Sequence, residues 1–285
     1  MFTYIILFFN RYMDGTFKVI REPFTQLYSI HSFVKQNGEI KQVPLAFALM
    51  SGKRKRDYQR VLTAVRNLLP DQIAVQCVVA DLWALWKAVE DVFPDVRLQG
   101  CVFHWTQAIW RKVQGLRLAS VYKDDDATHK YIRRIMALPF LPHEHIATMF
   151  NEMKDLATSS PLQSLVEYVQ TTWLESTVWS PDRWSIFHRS VRTNNDVEGW
   201  HRRLNHHAGR AKLPMYLLIN LLHQESVLVS LQVRLLSDKM IKRQQRRKYR
   251  NLQAKIFKHW EEFSACQMDT RHLLRVCSHL NGPCC

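Results

Sequence analysis

The first 115 residues alternate between two patterns of hydrophobic and polar positions, one typical of strands and one typical of helices. Runs rich in β-branched and aromatic residues predict five strands, over 12–20, 25–34, 43–50, 73–80 and 96–102. Apolar positions spaced three and four residues apart predict helices over 57–69, 83–93 and 105–113. The order β-β-β-α-β-α-β-α predicts an α/β fold in which helices cover a mixed five-stranded sheet. Asn37-Gly38 is a typical hairpin turn between the second and third strands.

Beyond residue 115 the strand pattern is replaced by helical spacing. Helices are predicted over 128–138, 143–156 and 162–173, and prolines separate them. Residues 215–281 contain neither glycine nor proline, which favours long helices. The chain therefore divides into four regions: a core at 1–115, a helical insertion at 116–191, a short helical region at 192–225 and a helical tail at 226–285.

The charge of the chain indicates a polyanionic partner. Its 285 residues include 40 Lys and Arg against 25 Asp and Glu, a formal net charge of +15, and such a surplus is typical of nucleic-acid binding. A membrane partner is disfavoured, because the longest apolar run, 5–9, is far shorter than the ~20 residues of a membrane-spanning helix. Six irregularly spaced cysteines do not form a disulfide framework, which favours a reducing, intracellular setting.

Two aspartates lie where a sheet could bring them together. Asp14 falls in the first predicted strand, although Asp14-Gly15 is also a common turn dipeptide. Asp81 directly follows the buried strand predicted over 73–80, where it could instead cap the next helix. Ligands of open α/β sheets bind at the carboxyl ends of the strands. Two converging carboxylates would repel each other unless a proton or a hard divalent cation lay between them.

Glu198 is the candidate for a third carboxylate. Asn195 and Glu198 have the spacing of a helix capping box, which is a purely structural alternative. A capping box does not account for His201 and Arg202, which follow three and four residues later on the same helix face. Glu198, His201 and Arg202 would together present an acid, a titratable group and a fixed cation.

Other potential ligands carry a weaker signal. Cys101 and His104 form a C-x2-H pair, which is only half of a closed zinc site, so a buried cysteine and a structural histidine are the favoured interpretation. The acidic run 124–126 precedes a predicted helix and suits a solvated helix N-terminus better than a metal site.

A basic stretch near the C-terminus is the candidate contact for phosphates. Nine basic residues and no acidic residue occur between 239 and 258. Protein surfaces normally mix charges of both signs, so phosphate contact is favoured over a merely solvated face. Six of the basic residues share one face of a predicted helix: Lys239, Lys242, Arg243, Arg246, Arg247 and Arg250.

Several motifs occur in an order that resembles the Mutator-like element (MULE) transposase domain. The likeness begins with Asp-Gly-Thr-Phe-Lys at 14–18, continues through Asp81 and ends with Arg-Thr-Asn-Asn at 192–195, Glu198 and His201. Between these lie further matching residues: Pro23-Phe24, Gln26-Leu27-Tyr28, Ile30-His31, Val43-Pro44-Leu45, Ala48-Leu49, Phe93-Pro94, Gly100-Cys101, Phe103-His104-Trp105, 139–142 and Trp173.

The resemblance implies a ribonuclease H-like fold with a helical insertion before the last catalytic helix. It implies DDE chemistry, in which Asp14, Asp81 and Glu198 are catalytic carboxylates that hold two Mg²⁺ or Mn²⁺ ions. Cys101 and His104 match the family's C-x2-H motif. DNA would be the partner, at transposon ends and target, with self-association and a nuclear location.

Two departures from the family pattern keep a second function open. Leu82-Trp83 follows Asp81 where the family has an aromatic residue and an acid. We also expect the zinc-binding DNA-recognition module that usually lies upstream to be missing from this chain. The alternative is a domesticated, catalytically inactive DNA-binding or regulatory protein with the same fold.

Overall fold

Five strands form one mixed sheet in the order β3-β2-β1-β4-β5. The computed structural model describes residues 10–36, 39–69, 75–80, 83–189, 195–237 and 247–281, and only the backbone of 35–36, 39–40, 195, 236–237 and 247–250. The strands are β1 (Asn10–Thr16), β2 (Gln26–Gln36), β3 (Glu39–Met50), β4 (Cys77–Val79) and β5 (Arg97–Gln99). The α/β class and the mixed five-stranded sheet are thus confirmed, whereas the Asn37-Gly38 turn lies outside the described residues.

The pairing of the strands gives the sheet its mixed character. β1, β2 and β3 are antiparallel neighbours, while β4 runs parallel to β1 and β5 runs parallel to β4. The first strand is shorter than the predicted 12–20, because the backbone turns after Thr16 and the amide of Ile20 bonds the carbonyl of Phe17 at 3.1 Å.

The described residues within 1–99 and 194–244 form one compact unit, the sheet unit. Besides the sheet it contains α1 (Lys55–Leu68), α2 (Trp83–Val92), α9 (Asn195–His207) and α10 (Met215–Ser237). Trp200 of α9 stacks on Phe47 of β3 with ring centroids 5.4 Å apart. After α9, the amides of Lys212 and Leu213 donate hydrogen bonds to the carbonyls of Lys18 and Val19, which follow β1, at 2.9 and 3.0 Å. These contacts anchor α9 against the sheet.

The described residues within 100–193 and 245–285 form the second unit, the helical unit. Its core includes Trp105, which stacks on Trp184, and Trp260, whose Nε1 donates to the carbonyl of Phe140 at 2.8 Å. The four-region division of the sequence stays a prediction. The helices are α3 (Val102–Gly115), α4 (Leu118–Asp124), α5 (Asp126–Ala137), α6 (His143–Lys154), α7 (Ser160–Val169), α8 (Pro181–Trp184), α11 (Arg247–Ser264) and α12 (Thr270–Leu280).

Two local features of the helical regions go beyond what the hydrophobic pattern of the sequence indicates. The sequence did not predict α4, and the acidic run supplies Asp125, whose side chain caps α5 by accepting from the Thr128 amide at 2.7 Å. α11 and α12 are separated without glycine or proline, because Cys266 adopts a left-handed backbone with φ of 56°. Within the described residues, the helices are too short or too polar to cross a membrane.

Candidate metal centre

Asp14 lies inside β1, opposite Ser29 of β2, and is only 8% exposed. The turn interpretation of Asp14-Gly15 is therefore wrong, because both residues are paired in the sheet. The amide of Gly15 donates to Asp14 Oδ1 at 2.7 Å, which helps to orient the carboxylate. A larger residue at position 15 would displace a buried neighbour, since a Cβ there would lie 2.7 Å from Oε1 of Gln26.

Glu198 reaches Asp14 from the first turn of α9. Carboxylate oxygens of the two residues lie within 4.8 Å of each other, although the residues are far apart in sequence. The side chain of Asn195 is outside the described residues, so the capping box of Asn195 and Glu198 stays a prediction. The structure thus brings together the first and third of the three predicted carboxylates.

Residues along one side of α9 face β1. Glu198, His201 and Asn205 are spaced three and four residues apart, which places them on one face of a helix. His201 Nδ1 lies 3.5 Å from Asp14 Oδ2, and Asn205 Nδ2 donates to Thr16 Oγ1 at 3.4 Å. α9 therefore follows the same face of β1 on which Asp14 stands.

His201 is buried beside the candidate carboxylates. Its Nε2 lies 3.1 Å from Ser29 Oγ, and that hydroxyl lies 2.9 Å from His31 Nε2. The Asp14 carboxylate, which can only accept, lies 3.5 Å from His201 Nδ1 and favours one proton arrangement: His31 Nε2–H donates to Ser29 Oγ, and the Ser29 hydroxyl, which also lies 3.4 Å from the Asp14 carbonyl, donates to His201 Nε2. The proton of the neutral His201 then sits on Nδ1, facing Asp14.

Burial keeps both histidines uncharged. It lowers the pKa of His201 to about 4, although the charge of Glu198 acts in the opposite direction. Burial also lowers the pKa of His31 well below its ordinary value, and the nearby His201 and Arg203 lower it further. Neutral imidazoles at pH 7 can orient a carboxylate without competing with a cation for it.

The opposite side of α9 is fixed by an acid of α10. Glu225 is 2% exposed, and its Oε2 accepts from Trp200 Nε1 and from Arg203 Nη2, both at 2.8 Å. His207 Nδ1 lies 3.5 Å from the other carboxylate oxygen. This clamp holds the helix that carries Glu198.

Three residues that hold the site in place were not identified from the sequence: Ser29, His31 and Glu225. Ser29 and His31 alternate along β2, so they share a face of the sheet. That alternation is the only local signal. Nothing near Glu225 in sequence distinguishes it from an ordinary exposed acid of a helix.

The donor set suits a hard divalent cation. Asp14 and Glu198 offer carboxylate oxygens at close range, and Mg²⁺ and Mn²⁺ prefer oxygen ligands. Without a cation, the buried carboxylate of Asp14 and the half-buried carboxylate of Glu198 would repel each other at this distance. The arrangement can therefore bind a divalent ion, and it can perform metal-assisted chemistry if a substrate oxygen enters.

The remaining predicted site residues are distributed as follows. Asp81 lies outside the described residues, and Ala80 before it follows β4. Cys101 precedes α3 and is buried, and His104 is in the first turn of that helix. Among the described residues, Cys101 belongs to no group of three or more potential metal ligands. Arg202 is exposed on α9.

The basic face falls largely outside what the structure describes. Lys239, Lys242, Arg243 and Arg246 lie outside the described residues. Arg247 and Arg250 belong to α11, but only their backbone is described. The shared basic face stays a prediction.

A comparison with known protein families shows what the first part of the chain is similar to. Residues 11–108 match the MULE transposase domain. The matched segment runs from β1 into α3 and includes Asp14, Asp81, Cys101 and His104, whereas Glu198 lies beyond it. The match confirms the resemblance over these residues, whereas the motifs beyond residue 108 lie outside it. No curated protein matches the chain significantly.

Proposed function

We propose that this chain is the catalytic part of a MULE-type DDE transposase, which cleaves DNA and transfers strands with the help of divalent metal ions. The match over 11–108 supports a transposase-related function. The sheet order β3-β2-β1-β4-β5, with three antiparallel strands followed by two parallel ones, is compatible with the ribonuclease H-like fold that the family implies.

One observation carries the proposal: Glu198 places a carboxylate oxygen within 4.8 Å of Asp14. Glu198 lies outside the matched segment, so its position is independent of the family comparison. A capping residue of α9 would have no need to face a buried aspartate of β1. A shared cation explains why both acids occupy that place.

Asp81 would complete the carboxylate set. Val79 of β4 is paired with Tyr12 of β1, so the two strands run side by side towards Asp14. Asp81 is the second residue after β4 in the sequence. Its assignment as a ligand rests on this strand order and on its match to the family motif.

Asp14, Asp81 and Glu198 would hold two Mg²⁺ or Mn²⁺ ions, and His201 would position Asp14. Bound there, the ions would activate a water or a 3′-hydroxyl and stabilise the leaving oxygen of an in-line displacement. His201 contributes by presenting Nδ1 to Asp14 Oδ2, while Ser29 holds the imidazole from the other side. A side chain that contacts a metal ligand from behind in this way typically fixes the orientation of that ligand.

DNA is the proposed partner. The net charge of +15 favours a polyanion, and the basic residues at 239–250 would contact phosphates. The location would be the nucleus. Self-association would allow two DNA ends to be brought together.

Metal-dependent cleavage tests the proposal. Full-length protein is incubated with Mg²⁺ or Mn²⁺ and duplex DNA that carries the terminal repeats of the element. We expect cleavage by the unmodified chain, and loss of cleavage with retained DNA binding in Glu198→Gln. Glu22→Gln removes an exposed acid of the sheet unit and serves as the control. Cleavage that persists in Glu198→Gln would contradict the assignment.

The same experiment distinguishes the proposed transposase from the second candidate function, that of a domesticated DNA-binding protein. A domesticated DNA-binding protein would bind the DNA with salt-dependent affinity and would not cleave it under any metal condition. The Leu82-Trp83 departure after Asp81 is the observation that favours this candidate.

A further inference from the structure

Two large aromatic side chains of the sheet unit are exposed where strands end. Phe17, directly after β1, is 49% exposed, and Trp83, the first residue of α2, is 55% exposed. Aromatic side chains of this size usually bury most of their surface in a folded protein. Rings exposed in this way can stack on a flat partner.

Both rings lie at the same end of the sheet as the metal centre. β4 is the parallel neighbour of β1, so the chain leaves both strands in the same direction. Phe17 follows β1 three residues after Asp14. Trp83 stays close to the end of β4, because Trp86 Nε1 of the same helix turn donates to the carbonyl of Ala80 at 3.0 Å.

Three segments of the chain meet beside Phe17. The segment after α9 is joined to the chain after β1, since the amide of Lys212 donates to the carbonyl of Lys18 at 2.9 Å. β3 ends here as well, because β1 and β3 both pair antiparallel with β2 and so run in the same direction. In the loop after β3, the ammonium of Lys53 lies 3.7 Å from the centroid of the Phe17 ring.

These segments carry a strong excess of positive charge. Residues 17–25, 51–54 and 209–214 contain one acid, Glu22, and six exposed cations: Lys18, Arg21, Lys53, Arg54, Arg210 and Lys212. None of the six forms an ion pair with an acid that the structure describes. A solvated surface normally mixes charges of both signs, so this excess favours contact with phosphates. We call Phe17, Trp83 and the six cations the strand-end surface.

The combination of rings and cations fits an unpaired nucleic-acid strand better than a duplex. Proteins that bind single strands typically combine a basic groove, which follows the backbone, with aromatic side chains on which the bases stack. The bases of a duplex are already stacked on one another, and a duplex backbone needs only cations. The two exposed rings would then have no role.

We infer that an unpaired stretch of DNA binds along the strand-end surface, with bases stacked on Phe17 and Trp83 and phosphates on the cations. The inference rests on the proposal that DNA is the partner, but it does not require cleavage. A strand bound there passes the end of the sheet that carries Asp14 and Glu198. It is separate from the basic stretch at 239–250, which is predicted to contact phosphates alone.

Fluorescence anisotropy with a labelled strand of about 16 thymidines tests the stacking, on the full chain in EDTA so that no metal-dependent cleavage occurs. Phe17→Ala and Trp83→Ala should each weaken binding about 5- to 100-fold. Trp83→Phe should keep most of the affinity and Trp83→Leu should not, because only a ring can stack. Leu68→Ala, which removes a 72% exposed side chain at the far end of α1, should bind as the unmodified chain does.

A paired duplex of the same length separates stacking from phosphate contact. The ring variants should bind this duplex as tightly as the unmodified chain does, because its bases are not available. Replacing Arg54 and Lys212 together by Gln should make the plot of log K against log salt shallower by about 1.4 for the single strand. Arg97→Gln should leave that slope unchanged, because the exposed Arg97 begins β5 at the opposite end of the sheet.

The outcomes distinguish this inference from the proposed cleavage. A chain that does not bind the thymidine strand, or ring variants that bind it as tightly as the unmodified chain, would overturn the inference and leave the cleavage proposal standing. Equal losses on single strand and duplex would overturn it too, and an unchanged salt slope in the double variant would overturn the phosphate contacts. Ring-dependent binding by a chain that cuts no DNA with Mg²⁺ would support the inference and contradict the cleavage.

Discussion

Acid should destabilise the metal-free protein through His201. The folded protein holds the pKa of this histidine at about 4, against an ordinary value of 6.5. Between these two pH values the unfolded chain binds a proton that the folded chain does not bind. The free energy of unfolding must therefore decrease as the pH falls from 6.5 towards 4, and the contribution of His201 levels off below that.

The size of the effect follows from the two pKa values. Each pH unit within that window is worth about 1.4 kcal/mol, so a change from pH 7 to pH 4.5 should cost about 2 to 3 kcal/mol through His201 alone. That is a large part of the 5–15 kcal/mol by which folded proteins are typically stable. His31 contributes in the same direction, because its pKa is lowered as well.

Urea unfolding monitored by tryptophan fluorescence at both pH values measures the effect. His201→Asn cannot titrate, so its loss of stability between pH 7 and pH 4.5 should be smaller than that of the unmodified chain by about 2 to 3 kcal/mol. His223→Asn, which replaces an exposed histidine of the same unit, is the control, and it should lose as much stability as the unmodified chain does. A His201→Asn variant that loses as much stability as the unmodified chain would refute the reasoning.

Three further predictions concern the sheet unit. Glu198→Gln should leave the melting temperature of the metal-free protein unchanged or raise it, because it removes one of two close negative charges; a clear drop would contradict the repulsion argument. Glu225→Ala should lower the free energy of unfolding by about 3 kcal/mol, since Trp200 and Arg203 lose a buried acceptor, and Glu225→Gln should recover part of that loss in the same urea assay. Gly15→Ala should lower the free energy of unfolding by about 1 to 3 kcal/mol, because the new Cβ meets Gln26. Gly199→Ala, inside α9, should raise the free energy of unfolding by up to about 1 kcal/mol, because its Cβ meets no atom within 4 Å. Equal effects of the two substitutions would contradict this account of Gly15.

Much of the sheet could be predicted from the sequence because its pattern is local. Alternation and short apolar runs located all five strands, and the order of strands and helices indicated a mixed sheet, but the parallel pairing of β4 with β1 was not predicted. The ends were less accurate: β1 stops at Thr16 because the backbone turns there, while the β-rich composition continues to Ile20. The acidic run at 124–126 was correctly interpreted as a helix start, because capping depends on immediate neighbours.

The candidate site was predictable only in part, because its contacts join distant residues. The dipeptide Asp14-Gly15 favoured a turn, whereas in the structure Asp14 is paired with Ser29 inside the sheet. Glu198 was identified as an acid of interest, but its approach to Asp14 depends on how Trp200 and the chain after α9 anchor that helix. The role of Glu225 depends on the packing of α10, which no local pattern describes.

Calorimetric titration of the full-length chain with Mn²⁺ tests the central claim, that Asp14 and Glu198 share a divalent cation. We predict saturable binding by the unmodified protein, and affinity at least tenfold weaker in Asp14→Asn and in Glu198→Gln. Glu22→Gln, which removes an exposed acid of the same unit, should bind as the unmodified chain does. Equal affinity in the unmodified chain and in the Asp14 and Glu198 variants would contradict the account.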